Sequence, residues 1–139
     1  MISQKLNKAW TDIYYSLHYN YKEVLTHQNI RFLQIISKNE DVTIHFLSKV
    51  MALSHNTTSE HVQRLEKKGY VIKKRNAKDE RQVIVSLTTK GQDALKQHTE
   101  LDEEKINQIF ESLTVDEQDK ILDAFNTLGE SAKKLFPDN

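Results

Sequence analysis

Thr43 and Ser54 each stand directly ahead of a short amphipathic stretch, and only Ala52 and Leu53 separate the two stretches. A threonine or serine in that place satisfies free N–H groups of a helix's first turn, so each marks a helix start. The first helix turns Ile44, Leu47, Val50 and Met51 inward. The second runs to about Lys68, where Gly69 can take the left-handed conformation that closes a helix. Two short helices joined this tightly read as a helix-turn-helix. Directly behind them the apolar period shortens to that of a strand. Tyr70–Lys74 and Gln82–Leu87 are rich in β-formers, and in the second run Val83, Val85 and Leu87 alternate with Gln82, Ile84 and Ser86. The charged stretch 75–81 between them has no Asn-Gly pair, so a hairpin with a long tip is expected. A hairpin in this position is a wing.

Helices flank this unit on both sides. Ile2, Leu6, Ala9, Ile13, Leu17 and Tyr21 recur every three or four residues, and Trp10 and Tyr14 widen the stripe. Ile30, Phe32, Leu33, Ile35 and Ile36 point nearly all round their helix, which therefore belongs in the interior until Asn39, Glu40 and Asp41 break it. After the wing, Thr88 opens a helix in which Ala94, Leu95, His98, Leu101, Ile106, Ile109, Phe110 and Leu113 read as one stripe. Thr114 and Glu117 form a capping box for a last helix, which Pro137 stops. Three Gly and one Pro in 139 residues leave little room for long loops. The expected fold is mainly α with a small β-hairpin wing, in one domain over residues 1–139. Its winged helix-turn-helix lobe spans about 28–88, between terminal helices at about 1–22 and 89–136.

Charge separates these parts. The formal net charge is zero, yet eight cations and four acids between Ser54 and Arg81 give +4. From Gln92 onward, twelve acids, Asp93 through Asp138, against five lysines give −7. A basic middle facing an acidic tail points to phosphate contact by the middle. The absence of cysteine excludes disulfides, thiolate zinc sites and thiol redox switches. Lys5, Lys8 and Asp12 interrupt any signal-peptide core, and no apolar run reaches the length of a membrane span, so a cytoplasmic protein is expected.

In the helix behind Ser54, Thr58, Val62 and Leu65 fall within a narrow arc at about 100° per residue and must face the core. Asn56, Glu60, Gln63 and Lys67 then lie opposite, with Thr57, Ser59 and Arg64 beside them. Asn and Gln pair with adenine, Glu accepts from cytosine, and Ser or Thr serves several bases. Arg64 and Lys67 sit later in the helix and suit phosphates. His55 and His61 read as polar flanks of this face. The hairpin adds Lys73, Lys74, Arg75, Lys78 and Arg81, with Asp79 and Glu80 among them. A cationic tip of this kind suits the narrow minor groove. The candidate DNA-contacting set is Thr43, Ser54, His55, Asn56, Thr57, Ser59, Glu60, Gln63, Arg64, Lys74, Lys78, Asp79 and Arg81.

The runs Leu47-Ser48-Lys49-Val50-Met51-Ala52-Leu53-Ser54 and Val62-Gln63-Arg64-Leu65-Glu66-Lys67-Lys68-Gly69-Tyr70-Val71 resemble the MarR family of winged-helix regulators. So do Asp79-Glu80-Arg81 and Val85-Ser86-Leu87-Thr88-Thr89-Lys90-Gly91. The Asp-x-Arg and Leu-Thr-x-x-Gly patterns are the more diagnostic parts, and Lys74-Arg75-Asn76 ahead of the wing tip is similar to SarA-type members. Ala52 stands where the turn often has Gly, and Ser48 where a small Ala is usual. The resemblance covers essentially the whole chain. It implies a homodimer joined through the terminal helices, and an Arg81 that enters the minor groove braced by Asp79, with a bidentate pair as the expected geometry. The implied function is sequence-specific binding of double-stranded DNA at a pseudo-palindromic operator to repress transcription.

Other readings are weaker. Glu23 with His27, and His98 with Asp102, each stand four apart and on one helix would offer two ligands to an ion, but without cysteine or a tighter cluster no metal is expected. Trp10, Tyr14, Tyr15, Tyr19 and Tyr21 fit core or interface packing better than a small-molecule pocket, which leaves the identity of any effector open. No phosphate loop, nucleophile elbow or His-Glu-x-x-His motif occurs, so neither an enzyme nor a cofactor is expected. The alternative from another class is a winged-helix adaptor that binds proteins instead of DNA, which the acidic tail and zero net charge keep in play.

Overall fold

The computed structural model describes residues 1–137. Asp138, counted above in the acidic tail, lies outside the described residues. The chain forms two compact units, residues 1–101 and a second beginning at Asp102. The first holds α1 (Ile2–Leu17), α2 (His27–Lys38), α3 (Ile44–Met51), α4 (His55–Lys67), β1 (Val71–Arg75), β2 (Val83–Leu87) and α5 (Thr89–Thr99). The second holds α6 (Glu103–Glu111) and α7 (Val115–Leu135). The first unit is a winged helix-turn-helix.

Side-chain caps start α3, α4, α5 and α7 at the residues expected, Thr43, Ser54, Thr88 and Thr114. Thr43 Oγ1 accepts the Phe46 N–H at 3.0 Å, and Ser54 Oγ accepts the Thr57 N–H at 3.1 Å. Gly69, at φ 86°, ends α4 in a Schellman turn: the Tyr70 N–H donates to Leu65 O at 3.0 Å and the Gly69 N–H to Glu66 O at 2.9 Å. The turn of the helix-turn-helix repeats this motif with Ala52 at φ 54°, where the Leu53 N–H donates to Ser48 O at 3.0 Å. A left-handed alanine costs about 1 kcal/mol or more. The chain tolerates it to keep α3 and α4 close. In the second unit the Thr114–Glu117 capping box is complete, with both bonds at 3.1 Å.

The core is built round α2. Its Phe32, Leu33, Ile35 and Ile36 are buried with Leu47 of α3, Val62 and Leu65 of α4, and Val71 and Val85 of the hairpin. The strands run antiparallel from Val71 opposite Leu87 to Arg75 opposite Val83. Val85 also donates its N–H to Val42 O at 2.8 Å, which fastens the wing to the segment ahead of α3. The wing is therefore held on both sides of β2 and presents its tip from a fixed base.

Three expectations need correction. The first helix ends at Leu17, not near residue 22, and Tyr21 leaves its stripe to stack on His98 with ring centroids 3.9 Å apart. The long helix from Thr88 to Leu113 is two: α5 stops at Thr99, Leu101 forms a β-bridge with His18, and Asp102 caps α6 by accepting the Glu104 N–H at 3.0 Å. The strands begin one residue later than expected, because Tyr70 belongs to the Schellman turn and Gln82 to the wing tip.

The helix break also removes the geometric basis for the metal pairs. Asp102 is not on the helix of His98, and Glu23 lies in the loop ahead of α2, where His27 is the first residue. Both ring nitrogens of His98 are engaged, Nε2 by the Leu25 N–H at 3.3 Å and Nδ1 with Ala94 O at 2.7 Å. Among the described residues no cluster of three His, Asp or Glu could hold an ion, and no helix is long and apolar enough to cross a membrane.

Candidate nucleic-acid interface

Burial divides α4 as its periodicity requires. Thr58, Val62 and Leu65 are buried, whereas Asn56, Glu60, Gln63, Arg64 and Lys67 are exposed. Glu60, Gln63, Arg64 and Lys67 together line a shallow recess of about 280 Å³. Arg64 reaches back to Glu60 at 3.7 Å. An exposed pair of this type is worth at most about 1 kcal/mol, so either side chain is readily redirected.

Local bonding sorts the remaining candidates. Thr43 is committed to its cap, and so is Ser54, whose hydroxyl also donates to Thr57 Oγ1 at 2.9 Å. These residues fix the start of each helix. Asn56, Ser59 and Gln63 keep their side chains for an external partner.

The wing cations are not equivalent. Lys73 pairs with Glu66 of α4 at 3.3 Å, and Arg75 Nη1 donates to Glu80 O at 2.8 Å. Both hold the hairpin's shape. Lys74 and Lys78 have no ion pair among the described residues. At the tip, the Arg81 side chain is 93% exposed, and its Nε meets Asp79 Oδ1 at 3.4 Å. The same oxygen accepts the Arg81 backbone N–H at 3.1 Å. The contact thus uses one carboxylate oxygen and Nε, and the expected bidentate pair is absent. Both Nη groups stay available.

Wing and helix-turn-helix share a groove of about 500 Å³, lined by Thr43, His45, His55, Arg81 and Gln82. This brings Arg81 beside the starts of α3 and α4. His45 and Gln82 were absent from the sequence-derived set. His45 sits in the first turn of the helix not read as the recognition helix, and Gln82 falls in a strand pattern, so neither carried a signal.

The family model for the transcriptional regulators SarA/Rot matches residues 14–98, more than half of the chain. The chain is 31% identical to the HTH-type transcriptional regulator SarZ of Staphylococcus saprophyticus over 83% of its own length and 75% of that protein's. Among solved structures it is similar to transcriptional regulator Tm0710 of Thermotoga maritima, with a TM-score of 0.60, 26% identity, and coverage of 81% and 79% of the two chains. Wild-type MarR of E. coli is also similar, with a TM-score of 0.53, 28% identity, and the same coverage. The chain therefore belongs to the SarA/Rot family of MarR-type winged helix-turn-helix transcriptional regulators.

Proposed function

We propose that the chain acts as a homodimeric repressor on a pseudo-palindromic operator, in the bacterial cytoplasm where its DNA lies. Two copies of α4 enter successive major grooves about one helical turn apart. Asn56, Ser59, Glu60 and Gln63 read base edges. Arg64, Lys74 and Lys78 contact phosphates, and Thr43, Ser54, His55 and Thr57 set the backbone contact at the helix starts. Arg81, held by Asp79, enters the minor groove. The observation that carries this reading is the wing tip, a nearly fully exposed arginine steadied by one carboxylate oxygen on a well-anchored hairpin. Footprinting on DNA from the protein's own promoter region tests it. Two protected half-sites about ten base pairs apart are expected, and no protected site on any promoter would reject DNA binding in favour of an adaptor.

Dimerisation follows from uncovered apolar surface. In α1, Ile2, Leu6 and Trp10 are exposed; in the second unit, so are Leu122, Phe125 and Leu128 of α7. Apolar faces of this kind mark interfaces, and a second copy of the chain, which carries the same faces, is the proposed partner. Sedimentation should show a dimer persisting at low micromolar concentration. A stable folded monomer there would also remove the two-fold operator model.

Salt gives an independent measure of the phosphate contacts. The logarithm of affinity should fall linearly with that of salt, by about 0.9 for each phosphate neutralised. Lys74→Ala or Lys78→Ala should each flatten the slope by about one unit. A slope unchanged in both variants would show that the wing lysines do not touch the duplex.

A further inference from the structure

The groove between α3, α4 and the wing has a partly apolar wall, Ile44 and Val83, and its polar side chains can all donate hydrogen bonds, with no carboxylate among them. His45 and Thr43 come from the start of α3, His55 from the start of α4, and Arg81 and Gln82 from the wing. Both imidazoles are exposed, and neither has a hydrogen-bond or ion-pair partner among the described residues. Arg81 is the one permanently charged side chain in the lining. The acid nearest to it, Asp79, is already taken up by Arg81 Nε. Besides Arg81, the wing brings only the uncharged Gln82 and Val83 to the groove. Two titratable bases therefore share a cleft with an arginine, and no carboxylate lines it.

What the cleft receives follows if α4 reads a major groove and the wing the adjacent minor groove, a premise taken from the functional reading above. A single sugar–phosphate strand separates adjacent grooves of a duplex, so a cleft between the two readers accepts that strand. A neutral imidazole offers a phosphodiester one N–H. An imidazolium offers a charge-assisted bond, roughly twice as strong, and an adjacent anion favours the protonated form. We propose that His45 and His55 form a proton-linked clamp on the DNA phosphodiester strand between recognition helix and wing, so that DNA binding takes up protons. Imidazole is the side chain that changes charge near neutrality. Since the bound state holds more protons than the free state, affinity rises as pH falls, and the gain disappears once the rings are neutral in the complex too.

The test is fluorescence anisotropy of the full chain on a labelled promoter duplex between pH 6 and pH 8 at constant ionic strength. Wild type should tighten as pH falls, by up to about tenfold per pH unit for each proton taken up. H45Q and H55Q keep a polar side chain but cannot titrate. Each should flatten the profile, and the H45Q/H55Q variant should flatten it most, with a thermal melt matching wild type as the check on folding. Calorimetry of wild-type binding in two buffers of different ionisation enthalpy measures the proton uptake directly and needs no variant. DNA binding with no proton uptake would overturn the clamp while leaving DNA recognition intact. A pH response that survives in H45Q/H55Q would also overturn it and assign the protons to other histidines, His98 or His61 first. Wild type that binds no DNA at any pH would refute the functional reading and the clamp together.

Discussion

Gly91→Ala is expected to be the most damaging single substitution in the winged helix, costing about 3 kcal/mol or more. Gly91 is buried in the first turn of α5, where its N–H donates to Thr88 Oγ1 at 3.0 Å. A Cβ there would collide with the backbone carbonyl of Tyr70, with Tyr70 O as the nearest atom and the carbonyl carbon only 3.0 Å away. Backbone cannot swing aside as a flexible side chain would. This carbonyl is also committed, since it accepts the Thr88 N–H at 3.0 Å, and Thr88 Oγ1 donates to Gly69 O. Tyr70 itself is a buried anchor, with Lys90 Nζ 4.8 Å above its ring. Burial first, and the Glu23 carboxylate second, push its hydroxyl up to about 12, so it stays a neutral phenol. Moving α5 away from Tyr70 would loosen the start of β1 and the end of β2 together. The midpoint of thermal unfolding should fall on the order of 10 °C, followed by circular dichroism. A variant that melts with wild type would show that α5 can shift without cost and that this packing does not secure the wing.

The Gly91 contact also shows how far the sequence could be read. Leu-Thr-x-x-Gly was visible as a pattern, and Thr88 as a helix cap, because a hydroxyl ahead of an apolar period is a local signal. The reason for the glycine was not visible, since the atom it must avoid lies 21 residues back in the chain. The same division runs through the fold. Thr43, Ser54, Gly69 and the Thr114–Glu117 box act within one helical turn and were legible. The break at Glu100–Asp102 was not. Leu101 continues the apolar stripe, and no Gly or Pro interrupts it; the break is fixed by the bridge to His18, far off in sequence. Tyr21 left its stripe for an equally remote partner, His98. At the interface, the exposed face of α4 followed from its period. The division of the wing cations did not, because the Lys73–Glu66 pair joins strand to helix. Nor did the groove that sets His45 beside Arg81, because it exists only once α3, α4 and the wing have packed.

The largest expected effect on DNA binding belongs to Arg81→Ala. An arginine contact in a groove is worth about 1–3 kcal/mol, and the two-fold complex proposed above would lose two of them, so affinity should fall on the order of 100-fold or more. Folding and dimerisation should hardly change, because the side chain is 93% exposed and buries no core. Asp79→Ala is the more discriminating substitution. Long-range electrostatics predicts tighter binding, since it deletes an acid beside phosphate. The geometry predicts the opposite sign. Asp79 Oδ1 accepts both the backbone N–H of Arg81 at 3.1 Å and its Nε at 3.4 Å. One oxygen therefore fixes the turn and limits the guanidinium while leaving both Nη groups for DNA. Without it the side chain must be ordered at the moment of binding, a cost on the order of 1 kcal/mol for each copy. Asp79→Ala should weaken binding by about 30-fold on that estimate, counting both copies. If Asp79 acts only through Arg81, the two substitutions are non-additive, and the double variant binds little worse than Arg81→Ala alone. Operator affinities of the two single variants and the double variant decide the matter. Tighter binding by Asp79→Ala, or full additivity, would reject the bracing role and leave Arg81 as an unassisted phosphate contact.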